Sequence, residues 1–265
     1  MLKLTDITKV FYKGTVDERT SLDNLNLQVD DADFITIIGS NGAGKSTLFN
    51  AISGSFQIDS GKIELNDVDI TNMQEYRRAK YIGRLFQDPL MGTAPNMTIL
   101  ENLGLAYSRG SRHGLSFAIR KKDKEFFREK LEYLGIGLED RLNTKVKLLS
   151  GGQRQALTLL MATMKKPDIL LLDEHTAALD PVVSEKIMRI TNEIVVNNKI
   201  TTLMITHNVE QALHYGNRMI MIDRGKIVFE LDNESKKKIT PKELIDKYTE
   251  KVSKEIGDRM LFSTK

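Results

Sequence analysis

Apolar and polar positions alternate at Leu2, Leu4 and Ile7 and again at Leu25, Leu27 and Val29, the period-2 signature of half-buried strands. A polar connection around Lys13-Gly14 and Asp17-Glu18-Arg19 separates the two runs, so an antiparallel β lobe is expected to open the chain. The pattern then becomes continuous. Phe34-Ile35-Thr36-Ile37-Ile38 reads as a strand buried on both faces, as in a parallel sheet, and Leu48, Phe49 and Ile52 beyond a glycine-rich turn recur at helical spacing. Gly61-Lys62-Ile63-Glu64-Leu65 alternates again, and Tyr81 to Phe86 leads into Gln87-Asp88-Pro89, where Pro89 ends the strand.

From Leu90 to Leu148 the period is helical. Thr98 is the expected N-cap of one helix, with Glu101 in capping-box register, and Phe126, Phe127, Leu131 and Leu134 share one side of a second. That second helix opens with Lys121-Lys122-Asp123-Lys124-Glu125, a charge run read as a solvated face in preference to a lipid or partner contact. Ser150 then caps a helix carrying Ala156, Leu157, Leu159, Leu160 and Met164, stopped before Pro167. Ile169 to Leu172 and Thr201 to Ile205 are further buried strands, and Arg218 to Asp223 with Lys226 to Phe229 read as a closing hairpin around Arg224-Gly225. In the tail, Thr240-Pro241-Lys242-Glu243 is a capping box, and Leu244, Tyr248, Val252 and Ile256 form one stripe, expected to pack on the chain's own domain in preference to a regulator.

Composition narrows the class. A chain of 265 residues can bury a full α/β core, and a formal charge of +3 with 28% charged residues is too weak and too mixed to argue for nucleic acid. With no Cys, disulfides and thiolate chemistry are excluded, which fits a reducing compartment. The first residues lack the apolar core of a signal peptide and no apolar run approaches the roughly 20 residues of a membrane span. A soluble chain is expected, with any membrane role supplied by a partner.

The turn after the first buried strand matches G-x-x-x-x-G-K-[ST] from Gly39 to Ser46. Gly39, Ser40, Asn41, Gly42, Ala43, Gly44, Lys45, Ser46 and Thr47 are the candidate phosphate cradle: glycines let consecutive N–H groups face phosphate oxygens, Lys45 supplies a charge and Ser46 a hydroxyl for Mg²⁺. Ile169 to Leu172 ends in Asp173-Glu174, four apolar residues and then two acids at the strand end where α/β sheets bind ligands. Asp173 is placed to hold Mg²⁺ through water and Glu174 to take a proton from an attacking water. His207 closes the Thr201–Ile205 strand at the same sheet edge and is a candidate γ-phosphate contact. His175 lies next to Glu174, whereas His113 and His214 have no such placement. Phe11 is read either as a base-stacking ring or as strand core. Ser150-Gly151-Gly152-Gln153 is either a second phosphate site at a helix N-terminus or simply a turn.

Together these residues resemble the ATP-binding subunits of ABC transporters over about the first 230 residues: the P-loop, Gln87 of the Q-loop, Leu149 to Gln153 as the signature, Walker B at Ile169 to Glu174, Ala178-Leu179-Asp180 as the D-loop and His207 as the switch histidine. The resemblance implies an ABC-ATPase α/β fold, with a mostly parallel core sheet, an N-terminal antiparallel β lobe and an α-helical lobe inserted at about 90–165. It places the ATPase domain at 1–231 and a helical extension at 232–265. It implies ATP and Mg²⁺ as ligands, Phe11 as the adenine-stacking ring, Gln87 as a metal and catalytic residue beside Glu174 and His207, and Ser150, Gly151, Gly152 and Gln153 as the cap on a partner subunit's ATP. It implies a homodimer at the cytoplasmic face of the membrane, peripheral to permease subunits contacted through Gln87 to Leu105, with an extracytoplasmic substrate-binding protein acting through them and no nucleic acid. His175 departs from the pattern, since most relatives carry Pro there.

A regulatory GTPase is disfavoured because Asn198-Lys199-Ile200-Thr201 lacks the Asp that reads guanine. A chromosome-maintenance ATPase would need a long coiled coil for which Leu90 to Leu148 has no room. Translation-associated relatives usually carry two ATPase domains. The remaining alternative to import is export or lipid extraction. The runs Leu90 to Thr98 and Asp173 to Asp180 resemble a bacterial subgroup associated with amino-acid uptake.

Overall fold

The computed structural model describes residues 1–109 and 119–248. Its first lobe is a four-stranded antiparallel sheet in the order β2-β1-β4-β5, formed by β1 (Leu2–Phe11), β2 (Arg19–Val29), β4 (Ser60–Leu65) and β5 (Val68–Asp69). The second sheet has six strands in the order β10-β9-β3-β8-β7-β6. It comprises β3 (Phe34–Ile38), β6 (Ile82–Leu85), β7 (Ile169–Asp173), β8 (Thr202–Ile205), β9 (Arg218–Asp223) and β10 (Lys226–Leu231). Only β10 runs antiparallel to its neighbour, so the core sheet is mostly parallel, as expected.

The continuous apolar runs have a geometric cause. Along β7, Ile169 and Leu171 join the core shared with the β lobe and α1 (Lys45–Ser53), while Leu170 and Leu172 join the core on the opposite face. A strand covered on both sides has no solvent face on which to place polar residues. Each fully buried aliphatic side chain is worth about 1.5–3 kcal/mol, so burial alone fixes this strand and leaves its polar end free for chemistry.

Between β6 and β7 come α3 (Ile99–Ser108), α4 (Lys121–Leu134) and α5 (Gly151–Thr163). Thr98 and Glu101 form the expected capping box on α3, and Phe127, Leu131 and Leu134 are the buried positions of α4. This insertion shares its core with α6 (Pro181–Asn197) and with the rear face of the sheet. His113 lies outside the described residues.

After β10 the chain forms α8 (Asn233–Lys238) and a further helical run over 241–248. Leu244 is fully buried and packs with Ile38, Met219 and Met221, and Tyr248 packs against the same cluster, so the visible half of the predicted stripe faces the chain's own sheet. Val252 and Ile256 lie outside the described residues.

Candidate functional site

Parallel registry brings the polar strand ends level. Ile37 pairs with Ile205, and Ile205 with Asp173, so the loops that leave β3, β7 and β8 emerge along one edge. The first is the glycine turn, which enters α1 through Gly44 at φ 108°. A Cβ there would lie 2.4 Å from the Ser21 carbonyl oxygen, so both backbone and space call for glycine. Arg19 and Ser21 of β2 brace the turn from outside: the Arg19 Nη2 donates to the Gly42 carbonyl, and the Ser21 and Thr47 hydroxyls lie 2.7 Å apart.

Lys45 is buried, with its Nζ donating to the Gly39 and Ser40 carbonyls at 2.7 and 3.0 Å. Burial holds its pKa below the usual lysine value, against the opposing pull of Glu174 and Asp173. Asp173 is shifted the other way: desolvation raises its pKa, opposed chiefly by the Arg84 guanidinium. Glu174 sits in the left-handed region at φ 46°, a conformation uncommon for a non-glycine residue and frequent at functional sites. Its N–H donates to the Ile205 carbonyl at 3.1 Å, and its Oε1 meets the His207 Nε2 at 2.5 Å.

A cavity of about 360 Å³ is lined by Phe11, Tyr12, Arg19, Ser21, Asn41, Gly42, Gly44, Lys45, Ser46, Thr47 and Glu174. It joins most of the predicted cradle to the predicted base. Phe11 borders it with a partly buried ring set edge-on to Phe56, centroids 5.5 Å apart, beside the more exposed Tyr12. Gln87 is exposed on the loop after β6 and does not line this cavity.

Ser150 to Gln153 do not line it either. Ser150 caps α5, accepting from the Gln153 N–H at 3.3 Å, while the Gln153 side chain accepts from the Ser150 N–H. The α5 N-terminus is therefore a formed, outward-facing helix end as well as a turn. Gly152 packs against α6 so closely that a Cβ would meet the Val183 side chain at 2.3 Å.

His175 is buried, and its Nε2 lies 3.2 Å from the Thr191 hydroxyl, which itself donates to the Ile187 carbonyl at 2.8 Å. The imidazole must then donate through Nε2, and burial pushes its pKa down to about 4. It is a neutral packing group behind the turn that follows Glu174.

The donor set suits Mg²⁺. Among the described residues no group of three or more His, Cys, Asp or Glu side chains could hold an ion unaided. Asp173 and the Ser46 hydroxyl offer hard oxygens of the kind this ion prefers; Ser46 lines the cavity, whereas Asp173 does not.

Residues 22–177 match the family model described as ABC transporter. The chain is 43% identical over 248 residues to a tyrosine transport ATP-binding protein of Clostridioides difficile, covering 94% of this chain and 98% of that one. It is 35% identical to the phosphonates import ATP-binding protein PhnC of Lactococcus lactis subsp. cremoris, covering 87% and 92%. A dimeric, post-hydrolysis structure of the ATP-binding cassette MJ0796 bound to ADP and Pi superposes with TM-score 0.75 at 28% identity, covering 88% of this chain and 99% of the other. The chain belongs to the ABC transporter family and has the fold of its ATP-binding cassettes. It is an ATPase.

Three partners of the site carry no motif: Arg19, Ser21 and Arg84. The first two lie in the alternating β lobe, and only tertiary pairing brings them to the P-loop.

Proposed function

We propose that this chain is the ATP-hydrolysing subunit of an importer, working as a homodimer on the cytoplasmic face of a membrane beside permease subunits, and that it serves uptake of an amino acid or similar small solute. The observation that carries the hydrolytic reading is the shared cavity of Lys45, Ser46 and Glu174, with the His207 Nε2 in close contact with the Glu174 carboxylate. The P-loop N–H groups and the Lys45 ammonium bind the phosphates. Asp173 and Ser46 would hold Mg²⁺, which supplies charge neutralisation on the β- and γ-phosphates. Glu174 takes the proton of the attacking water as its oxygen bonds to the γ-phosphorus, the bond to the β–γ bridging oxygen breaks, and ADP leaves with that electron pair. His207 orients Glu174 and contacts the γ-phosphate.

The signature is absent from its own chain's nucleotide cavity, which supports completion of the site in trans: Ser150 to Gln153 of a second subunit cap the γ-phosphate, and Phe11 stacks on the adenine. Gln87, on the loop that follows β6, completes the metal and catalytic set. No helix among the described residues is long and apolar enough to cross a membrane, consistent with reliance on separate permease subunits. The import reading is supported by the phosphonates import relative, and the amino-acid reading by the tyrosine transport relative; a substrate-binding protein acting through the permease belongs to the same proposal.

The test is Glu174→Gln. It is expected to lose at least about 100-fold in hydrolysis while accumulating an ATP-dependent dimer in sedimentation velocity. Wild-type turnover by the variant, or a monomer at saturating ATP, would sink the reading.

A further inference from the structure

Arg84 lies on β6 in register with Leu171 of β7, one strand away from Asp173. Its guanidinium, 12% exposed, donates from Nη2 to the Asp173 Oδ2 at 3.4 Å and from Nη1 to the Ser53 hydroxyl at 3.0 Å. It stacks on the Phe86 ring at 4.6 Å. Its Nε is buried and finds no partner among the described residues.

A second buried arginine shows what an architectural role looks like. Arg78 donates to the carbonyls of Met73, Ala51, Ile52 and Thr71, each at 2.8 Å, and so secures the end of α1 to the following loop. Arg84 does nothing comparable. Its one anionic partner in hydrogen-bond reach is the carboxylate at the end of β7, and one of its donors goes unused. Burying a cation for a single long ionic contact is a poor stabilising device, because desolvation offsets most of the attraction. What the contact does achieve is orientation. With Oδ2 engaged from the side of β6, Oδ1 is the oxygen left free.

We propose that Arg84 is the positioning residue for the Asp173 carboxylate, held by Ser53 and Phe86 so that one carboxylate oxygen is fixed and the other is presented to the nucleotide's metal ion. The proposal rests on the reading of Asp173 given above. It also ties three parts of the site through one side chain: Ser53 ends the helix that Lys45 begins, Phe86 precedes Gln87, and Asp173 precedes Glu174.

The experiment measures binding of the fluorescent non-hydrolysable analogue mant-AMPPNP to the full chain, in EDTA and across a Mg²⁺ titration. Arg84→Met should bind within about two-fold of wild type in EDTA, while the gain in affinity brought by Mg²⁺ falls about ten-fold or more, the usual scale when a metal ligand loses its orienting partner. Arg84→Lys keeps the charge but cannot bridge Ser53 and Asp173 together, and should recover part of the gain. Asp173→Asn serves as reference and should lose the gain. A full Mg²⁺ gain in Arg84→Met, with the gain lost in Asp173→Asn, overturns the positioning role alone. A full gain in Asp173→Asn overturns the metal reading and the proposal with it. Loss of EDTA binding in Arg84→Met marks a merely structural residue and also overturns it. Should Arg84→Met fail to fold, Ser53→Ala decides: roughly a three-fold loss of the Mg²⁺ gain is expected from one missing hydrogen bond, and none overturns the proposal.

Discussion

Replacing Lys45 with Met separates what this side chain does for the fold from what it does for nucleotide. The residue is 6% exposed, and its ammonium is held by two loop carbonyls at 2.7 and 3.0 Å. Burial lowers its pKa, so the charged form is less favourable there than in water. Met keeps the length and apolar stem. The variant leaves two carbonyls short of a donor, a loss of about 1–3 kcal/mol, but it also removes the desolvation of a buried charge. The two effects oppose, and the nucleotide-free protein should stay within about 1 kcal/mol of wild type.

Binding is different. Unit charges about 4 Å apart attract by about 4 kcal/mol at an effective dielectric of 20. Drawing the ammonium away from its carbonyls takes back part of that, leaving roughly 2–3 kcal/mol, or about 30- to 150-fold in affinity. Thermal denaturation with ATP in EDTA, where no turnover occurs, reads both quantities. At a concentration of 100 times the wild-type Kd, ligand stabilises the wild type by about 2.7 kcal/mol, and a variant binding 100-fold more weakly by only about 0.4 kcal/mol. At about 2–4 °C per kcal/mol for a chain of this size, a wild-type shift of roughly 5–11 °C should shrink to about 1–2 °C. A variant that keeps the full shift would refute the phosphate contact. One that loses more than about 3 kcal/mol without nucleotide would make Lys45 a structural residue.

Two further outcomes follow from the geometry. Ser150→Arg should leave mant-AMPPNP binding to the monomer within about two-fold while abolishing hydrolysis, whereas Ser150→Ala should cost about 1 kcal/mol through the lost cap; full turnover by the Arg variant would remove the signature from the trans site. Lys236 is buried, donates to the Tyr215 and Gly216 carbonyls, and has its pKa pushed down to about 8 by desolvation. Between that value and the ordinary lysine pKa the unfolded chain binds more protons, so stability from this residue rises with pH. In urea denaturation the wild type should gain on Lys236→Met by about 1–2 kcal/mol between pH 8 and pH 10, and a constant difference would contradict the assignment.

How far the molecule could be read from its sequence depended on where the partners of each residue lie. The P-loop, Asp173-Glu174 and His207 were legible because each follows a strand buried on both faces, and parallel registry brings such strand ends together. The helix caps at Thr98 and Ser150 were legible because a cap is local: Thr98 and Glu101 sit three residues apart, and Ser150 directly precedes its helix, where Gln153 completes a box that the sequence reading did not name. The short helices α2 (Glu75–Arg78) and α8 went unread, since four and six residues are too few to show a period. Lys236 was hidden for a related reason: it is the buried member of a run of three lysines, and only the fold sorts it from its neighbours.

The residues that sequence reading missed at the site share one property, which is that they act on the motifs from a distance. Arg19 reaches Gly42 across 23 positions and Arg84 reaches Asp173 across 89. Tyr248 shows the same logic from the other end of the described chain. Its hydroxyl donates to the Asp223 Oδ1 at 3.3 Å, and the Ser40 hydroxyl lies 3.4 Å from that same oxygen. The glycine turn is thus flanked by β2 on one side and by the tail helix on the other. Apart from the Ala43 N–H, which donates to the Ser40 carbonyl at 3.2 Å, a loop whose N–H groups are to meet phosphate is held mainly through its carbonyls and side chains. Gly39 and Ser40 present carbonyls to Lys45, Gly42 presents one to Arg19, and Ser40 and Thr47 present hydroxyls to Asp223 and Ser21. The motif states which groups meet the phosphate. The surrounding strands and the tail supply the frame that keeps those groups aimed while they wait for it.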